Sequence, residues 1–174
     1  MRLFFALWPE PAVRDGLVQR IANLELPKGR AMRRENLHAT LVFLGSVESA
    51  RRAELVAAAG RVRAPGFTLA IDCAGQFERA GVAWLGATTL PAAAAGLVAE
   101  LRQLLAAAGF PFDPKPFRLH VTIARDVKGR WTPPVVAPLV WPVSSFALVE
   151  SVAGPGGVVY EVRDTWALDT PASG

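Results

Sequence analysis

The chain has 174 residues, 52% of them hydrophobic and 20% charged, with 15 Gly and 14 Pro; this excludes a disordered chain and leaves room for one domain, or two small lobes sharing a core. Lys and Arg outnumber Asp and Glu by 19 to 15, and all but three of the cations are Arg. The excess suits an anionic ligand and does not have the weight of a protein that coats a duplex, although a chain this rich in Ala also carries Arg through composition alone. Cys73 is the only cysteine, so no internal disulfide can form and a reducing compartment is expected.

Arg2–Leu7 reads as a buried first strand. Leu3–Trp8 is too short for a signal h-region, because Pro9 and Glu10 stop it. Pro11 opens a helix with Val13, Leu17, Ile21 and Leu24 on one face, and Pro27-Lys28-Gly29 ends it. A basic connection with Lys28, Arg30, Arg33 and Arg34 leads to a strand over Leu37–Leu44, closed by Gly45. Residues 46–63 read as a second helix, ended by Pro65-Gly66. Phe67–Phe77 alternates as one strand, with Cys73 in phase with Phe67, Leu69 and Ile71 as a buried position, and Gly81–Gly86 is the next. A helix from Pro91 carries Leu97, Leu101, Leu104 and Leu105 and stops at Gly109. Its Glu100, Arg102 and Gln103 exclude a membrane span. Phe117–Arg125 is a strand reached through Pro111, Pro114 and Pro116. The Pro-rich stretch Trp131–Pro142 reads as a surface connection. Val143–Val152 and Val158–Leu168 alternate as a hairpin around Gly154-Pro155-Gly156-Gly157.

This order contains an internal repeat: strand, Pro, helix, connection, then a strand with His-x-Thr. The first unit occupies about 1–45 and the second about 81–126, within a single bilobal domain spanning 1–174. The chain has two histidines, and each stands in His-x-Thr within an apolar strand. Residues two apart share a strand face, so His38 points with Thr40 and His120 with Thr122. Leu37, Ala39, Leu41 and Phe43 then fall on the core side, as do Leu119, Val121 and Ile123. One such strand alone is ordinarily a half-buried polar pair with satisfied hydrogen bonds. Two, at matching places and using every histidine, point to a site.

If a twofold brings the strands together, the cleft offers an imidazole as base, another as acid, and two hydroxyls for the non-bridging oxygens of a phosphoryl group. Arg adds charge where the pentavalent transition state becomes more anionic. A zinc site wants more ligands than two separated histidines supply. No nucleophile elbow is present for a Ser triad, and no pair of acids stands out for a glycosidase.

His-Ala-Thr-Leu at 38–41 and His-Val-Thr-Ile at 120–123 resemble the paired signatures of the 2H phosphoesterase superfamily. More narrowly, the chain is similar to the bacterial RNA 2′,3′-cyclic phosphodiesterases, also called 2′-5′ RNA ligases, through RLFFAL at 2–7, ENLHATLVFLG at 35–45, residues 60–77, FRLHVTIARD at 117–126 and the Trp166-Ala167-Leu168 ending. The resemblance implies an α+β bilobal fold, with two antiparallel sheets related by a pseudo-twofold, flanking helices and a central cleft. It implies an enzyme that opens a 2′,3′-cyclic phosphate at an RNA 3′ end to a 2′-phosphate, without cofactor or metal, and that can reverse into ATP-independent 2′-5′ ligation. His38 would be the proton donor, His120 the proton acceptor, and Thr40, Thr122 and Arg125 would bind phosphate. The implied partners are RNA ends, tRNA fragments among them, met by a cytoplasmic monomer with no membrane contact. Strict alternation puts Arg125 opposite His120, so it reaches the site only if the strand twists or ends near Ala124, and it puts Phe43 in the core and not under a base. The rival readings are a relative acting on a small cyclic nucleotide or ADP-ribose cyclic phosphate, and a non-catalytic RNA- or nucleotide-binding protein.

Overall fold

The computed structural model describes residues 1–155 and 157–170. Strand β1 (Arg2–Leu7) is buried from Leu3 to Leu7, because apolar layers cover both of its faces. Leu3, Phe5 and Leu7 enter the main core, while Phe4 and Ala6 join a smaller cluster with Ala147 and Val149. Helix α1 (Pro11–Ala22) starts on Pro11, which gives up no hydrogen bond at that position. A short strand β2 (Arg30–Ala31) and a 3-10 turn (Arg34–Asn36) lead into β3 (Ala39–Ser46). The region after it is a 3-10 turn at Ser49–Arg51 and a helix α2 of Arg52–Ala59, shorter than the 46–63 helix expected.

The expected strand Phe67–Phe77 is two, β4 (Phe67–Ile71) and β5 (Cys73–Phe77). Asp72 makes the corner: its carboxylate accepts from Thr88 N at 2.7 Å and from Thr88 Oγ1 at 3.0 Å. The break leaves Cys73 half-buried instead of buried. Then come β6 (Val82–Gly86), α3 (Ala92–Ala107), β7 (His120–Arg125), β8 (Leu139–Val143), β9 (Ser145–Gly154) and β10 (Gly157–Ala167). Of the expected Gly154-Pro155-Gly156-Gly157 turn, Gly156 lies outside the described residues.

The larger sheet runs β10-β9-β1-β3-β7-β6-β5, with β2 also on β7, and every pairing in it is antiparallel. Its two halves, β10-β9-β1-β3 and β7-β6-β5, meet at the single pair Ala39–Val121. The halves match residue for residue around that junction: Leu7 pairs with Ala39 and Ala6 with Thr40, as Leu85 pairs with Val121 and Trp84 with Thr122. On one face of this sheet α1, α2 and α3 and the smaller β4–β8 sheet bury the main core, including Leu17, Leu55, Leu97, Leu101 and Leu105. The other face near the junction is open. No described helix is long and apolar enough to cross a membrane.

The Pro-rich stretch departs from the expected surface connection at its end. Leu139–Val143 is strand β8, which among the described residues pairs only with β4, and Trp141 is 2% exposed opposite Leu69. Pro142 fits because a two-stranded ladder leaves it an edge where no N–H is needed. Replacing Trp141 by Ala is expected to cost about 3–5 kcal/mol, the range for truncating a buried aromatic. Urea unfolding at neutral pH measures it, and a loss below about 1 kcal/mol, as for a surface connection, would contradict this packing.

Candidate active site

The junction of the two halves holds a cleft of about 770 Å³ lined by Thr40, Phe43, His120, Thr122 and Arg125, among others. His38 is one step behind this wall. It is 7% exposed, and its Nε2 lies 3.1 Å from Thr40 Oγ1. Its Nδ1 donates to Asn36 O at 2.6 Å, and His120 Nδ1 donates to Arg118 O at 2.8 Å. A carbonyl can only accept, so both neutral rings carry their proton on Nδ1 and leave Nε2 as an acceptor, that of His38 facing Thr40 Oγ1. Thr40 and Thr122 stand at the same place in the two halves, opposite Ala6 and Trp84.

Two departures from strict alternation shape the cleft. Between Phe5 and Ala6 the partner strand advances from Val42 to Thr40, so Leu41 is an extra residue in β3. Between Ala83 and Trp84 it advances from Ala124 to Thr122, so Ile123 is an extra residue in β7. Each is a β-bulge, and an extra residue reverses the parity of the strand beyond it. Phe43 therefore shares a face with Thr40, and Arg125 with Thr122. Phe43 does not enter the main core as expected: it pairs with Phe4, packs on the smaller cluster and lines the cleft. Arg125 reaches the cleft through the bulge and not through strand twist or an early strand end. The two are equivalents, each three residues beyond its threonine.

The halves differ in what lies beside each histidine. Trp8 follows the Leu7–Ala39 pair and stacks on His38 at 5.8 Å between ring centres, 19° from parallel. Phe4 at 4.9 Å and Tyr160 of β10 at 5.0 Å complete an aromatic box. In the other half the residue following Leu85–Val121 is Gly86, opposite His120, and no strand among the described residues corresponds to β10. His120 is consequently half-buried and borders open space, with only Phe77 edge-on at 5.0 Å.

Burial dominates both titrations. It pushes His38 down to about 4, with Arg125, His120 and Arg14 adding repulsion and the Asn36 carbonyl opposing them. It also lowers His120, where Arg118 O opposes and Arg125 repels. Both imidazoles are thus neutral at pH 7 in the free protein. The guanidiniums of Arg118 and Arg125 have no ion-pair or hydrogen-bond partner among the described residues, so the charge facing the cleft is positive.

Residues 8–155 match the 2′-5′ RNA ligase superfamily. The RNA 2′,3′-cyclic phosphodiesterase of Escherichia coli K12 is 36% identical over 169 residues, covering 96% of each chain. That of Thermus thermophilus is 33% identical over 97% of this chain and 90% of its own. The crystal structure of E. coli LigT with 3′-AMP superposes with a TM-score of 0.89 over 96% of this chain and 97% of that one, at 36% identity. This chain belongs to the 2′-5′ RNA ligase superfamily.

Within this superfamily member, two side chains that hold the site escaped the reading of the sequence. Arg14 sits among the apolar residues of α1, 7% exposed, and donates to Arg34 O at 2.7 Å and Leu37 O at 3.1 Å, fixing the turn before His38. Asn36, 4% exposed, donates to Val158 O and accepts from Tyr160 N, tying that turn to β10. A buried Arg beside a helix stripe and an Asn two residues before a His-x-Thr were the available hints.

A depressed histidine makes stability pH-dependent. The unfolded His38 takes a proton near pH 6.5 and the folded one only near 4, so this stabilisation is complete above about pH 6.5 and is lost as pH falls towards 4. The full loss is on the order of 3 kcal/mol, from about 2.5 pKa units at 1.36 kcal/mol each. Urea titrations at pH 7 and pH 4 should show the gap narrowing in His38→Gln by a large part of that amount. An unchanged gap would show that His38 titrates normally.

Proposed function

We propose that this superfamily member is an RNA 2′,3′-cyclic phosphodiesterase, with His38 as acid, His120 as base, and Thr40, Thr122 and Arg125 holding the phosphate. The observation that carries this reading is the matched pair of His-x-Thr strands, bulged so that one cleft receives both threonines, His120, Arg125 and Phe43. The relatives' names give the substrate class. The reading takes RNA 3′ ends as substrates, tRNA fragments among them, and a chain acting alone in the cytoplasm without cofactor.

The cyclic phosphate sits between the two threonines, its non-bridging oxygens facing their hydroxyls and the Arg125 guanidinium. These donors meet the charge that grows on the equatorial oxygens in the transition state. His120 Nε2 takes a proton from water, whose oxygen attacks phosphorus, and the P–O3′ bond breaks. His38 Nε2–H protonates O3′, leaving a 2′-phosphomonoester and a free 3′-hydroxyl. The assignment follows exposure: the base must meet incoming water, and His120 is the histidine that borders open space, whereas His38 is boxed by Phe4, Trp8 and Tyr160. The low pKa of His38 makes its charged form a strong donor, and the phosphate anion favours that form on binding. Phe43 on the His38 side offers a ring for the base of the nucleotide that carries the cyclic phosphate.

An RNA ending in a 2′,3′-cyclic phosphate, incubated with the protein in EDTA, should give the 2′-phosphate and no 3′-phosphate. His120→Ala should lower kcat by about 10²–10⁴-fold, the usual weight of a general base, while a 2′-phosphate product still binds. Wild-type-like turnover in that variant would remove His120 from the mechanism, and activity abolished by EDTA would contradict a cofactor-free reaction.

The reaction needs one protonated and one neutral histidine. Since both fall below 6.5 in the empty protein, kcat/KM should peak below pH 6.5 and decline as rising pH removes the single proton. The kcat optimum should lie at higher pH, because bound phosphate raises His38. A pH–rate series reads both, and a kcat/KM maximum above about pH 7.5 would contradict histidines depressed by burial.

A further inference from the structure

A recess of about 260 Å³ opens beside His120, lined by Phe77, Trp84, Leu90, Phe117 and Arg118. His120 borders both this recess and the main cleft. The recess lies in the half that has Gly86, opposite His120, where the other half has Trp8. Its floor is Trp84, laid flat on the sheet. A Cβ on Gly75 would lie 2.2 Å from Trp84 Cζ2, and one on Gly86 would lie 2.9 Å from Cζ3. Both glycines are therefore required for the indole to lie down across β5 and β6. Trp84 Nε1 is buried with no hydrogen-bond partner among the described residues. An unmade hydrogen bond of this kind is a penalty that a Phe filling the same space would avoid. What the indole adds is a broader ring. A planar aromatic floor, walled by Phe77 and Phe117 with the Arg118 cation at the edge, is the construction that stacks a nucleobase.

The direction of the chemistry says which nucleobase. Attacking and leaving oxygens lie roughly in line through phosphorus. The leaving O3′ and its ribose are on the His38 side, and everything upstream in that RNA leaves from the same ribose. The recess is on the other side, where the nucleophile enters. We propose that it is an acceptor subsite, holding the first nucleobase of an RNA whose 5′-hydroxyl attacks in place of water. This rests on the acid–base reading above. The step balances: His120 takes the 5′-hydroxyl proton, the O5′–P bond forms, P–O3′ breaks, and His38 protonates O3′. The product is a 2′-5′ phosphodiester with a free 3′-hydroxyl, and no nucleotide triphosphate is consumed.

The probe is 2′,3′-dideoxyadenosine, whose only hydroxyl is the 5′, offered with a cyclic-phosphate RNA; methanol is the control nucleophile. The readout is the ratio of adduct to 2′-phosphate, which is internal to each reaction and independent of total activity. With the wild type, this ratio should saturate with dideoxyadenosine and exceed the methanol ratio at equal concentration by about tenfold or more, within the range one base–aromatic stack provides. Trp84→Leu removes the floor and Ala87→Trp fills the recess from its rim. Each should bring the ratio down about tenfold, and Trp84→Phe should keep most of it. Should Trp84→Leu not fold, Ala87→Trp reads the same quantity without touching the floor. A ratio that rises linearly, one that Ala87→Trp leaves unchanged, or hydrolysis with no adduct at all overturns the subsite. A wild type that opens no cyclic phosphate overturns the phosphodiesterase reading itself.

Discussion

The bulges at Leu41 and Ile123 decide what the cleft contains. In a regular strand Thr40 and Phe43 face opposite ways, and so do Thr122 and Arg125. One unpaired residue directly after each threonine reverses the parity there; a second irregularity in β3, at Leu44, lies beyond Phe43. The cleft gains an aromatic ring from one half and a guanidinium from the other, while His-x-Thr keeps its regular spacing. Both strands lie at the sheet's centre and are buried on their other face, so the bulged register is held by packing: slipping by one residue would turn Ala39, Val42, Val121 and Ala124 out of the core.

On this repeated frame, the chemistry comes from the differences between halves. Trp8 against Gly86, Phe43 against Arg125, and strand β10 beside one half convert two equivalent histidines into unequal ones. The boxed His38 is shielded from water and strongly depressed, while His120 meets the open side of the cleft. Asn36 and Arg14 belong to the boxed half and hold the turn that aims His38. On the proposed mechanism, rigidity is placed where a proton would be delivered to a fixed oxygen, and openness where a nucleophile would enter.

The legible parts of the sequence are those governed by local periodicity. The apolar run of Arg2–Leu7, the stripe of Leu97, Leu101 and Leu105, and the alternation in the last hairpin each follow from burial of one face or two. His38 with Thr40 and His120 with Thr122 were legible because two-residue spacing survives on either side of a bulge. Phe43 and Arg125 were misplaced because a bulge is a property of strand pairing, and nothing in HATLVF or HVTIAR marks the extra residue. Strand β8 was hidden by Pro142 and the prolines before it, which read as a connection until β4 supplies a partner that leaves Pro142 an edge. The corner at Asp72 depends on Thr88, sixteen residues away, and alternation across Phe67–Phe77 cannot show it.

On the proposed mechanism, electrostatics links substrate binding to the proton that His38 would deliver. A charged His38 in the empty cleft would face the repulsion of Arg125, His120 and Arg14 without a counter-ion, on top of the cost of burial. The resting site is therefore two neutral bases beside an arginine without an ion-pair partner among the described residues, and it has no acid to offer. An incoming phosphate brings the negative charge that balances the arginine, and the same charge makes a protonated His38 tolerable. On that mechanism, neutral molecules that reach the cleft would supply no such charge and would leave the acid unformed. The competent protonation state is thereby tied to an anion in the right place, so the buried histidine's low pKa contributes to selectivity as well as to donor strength.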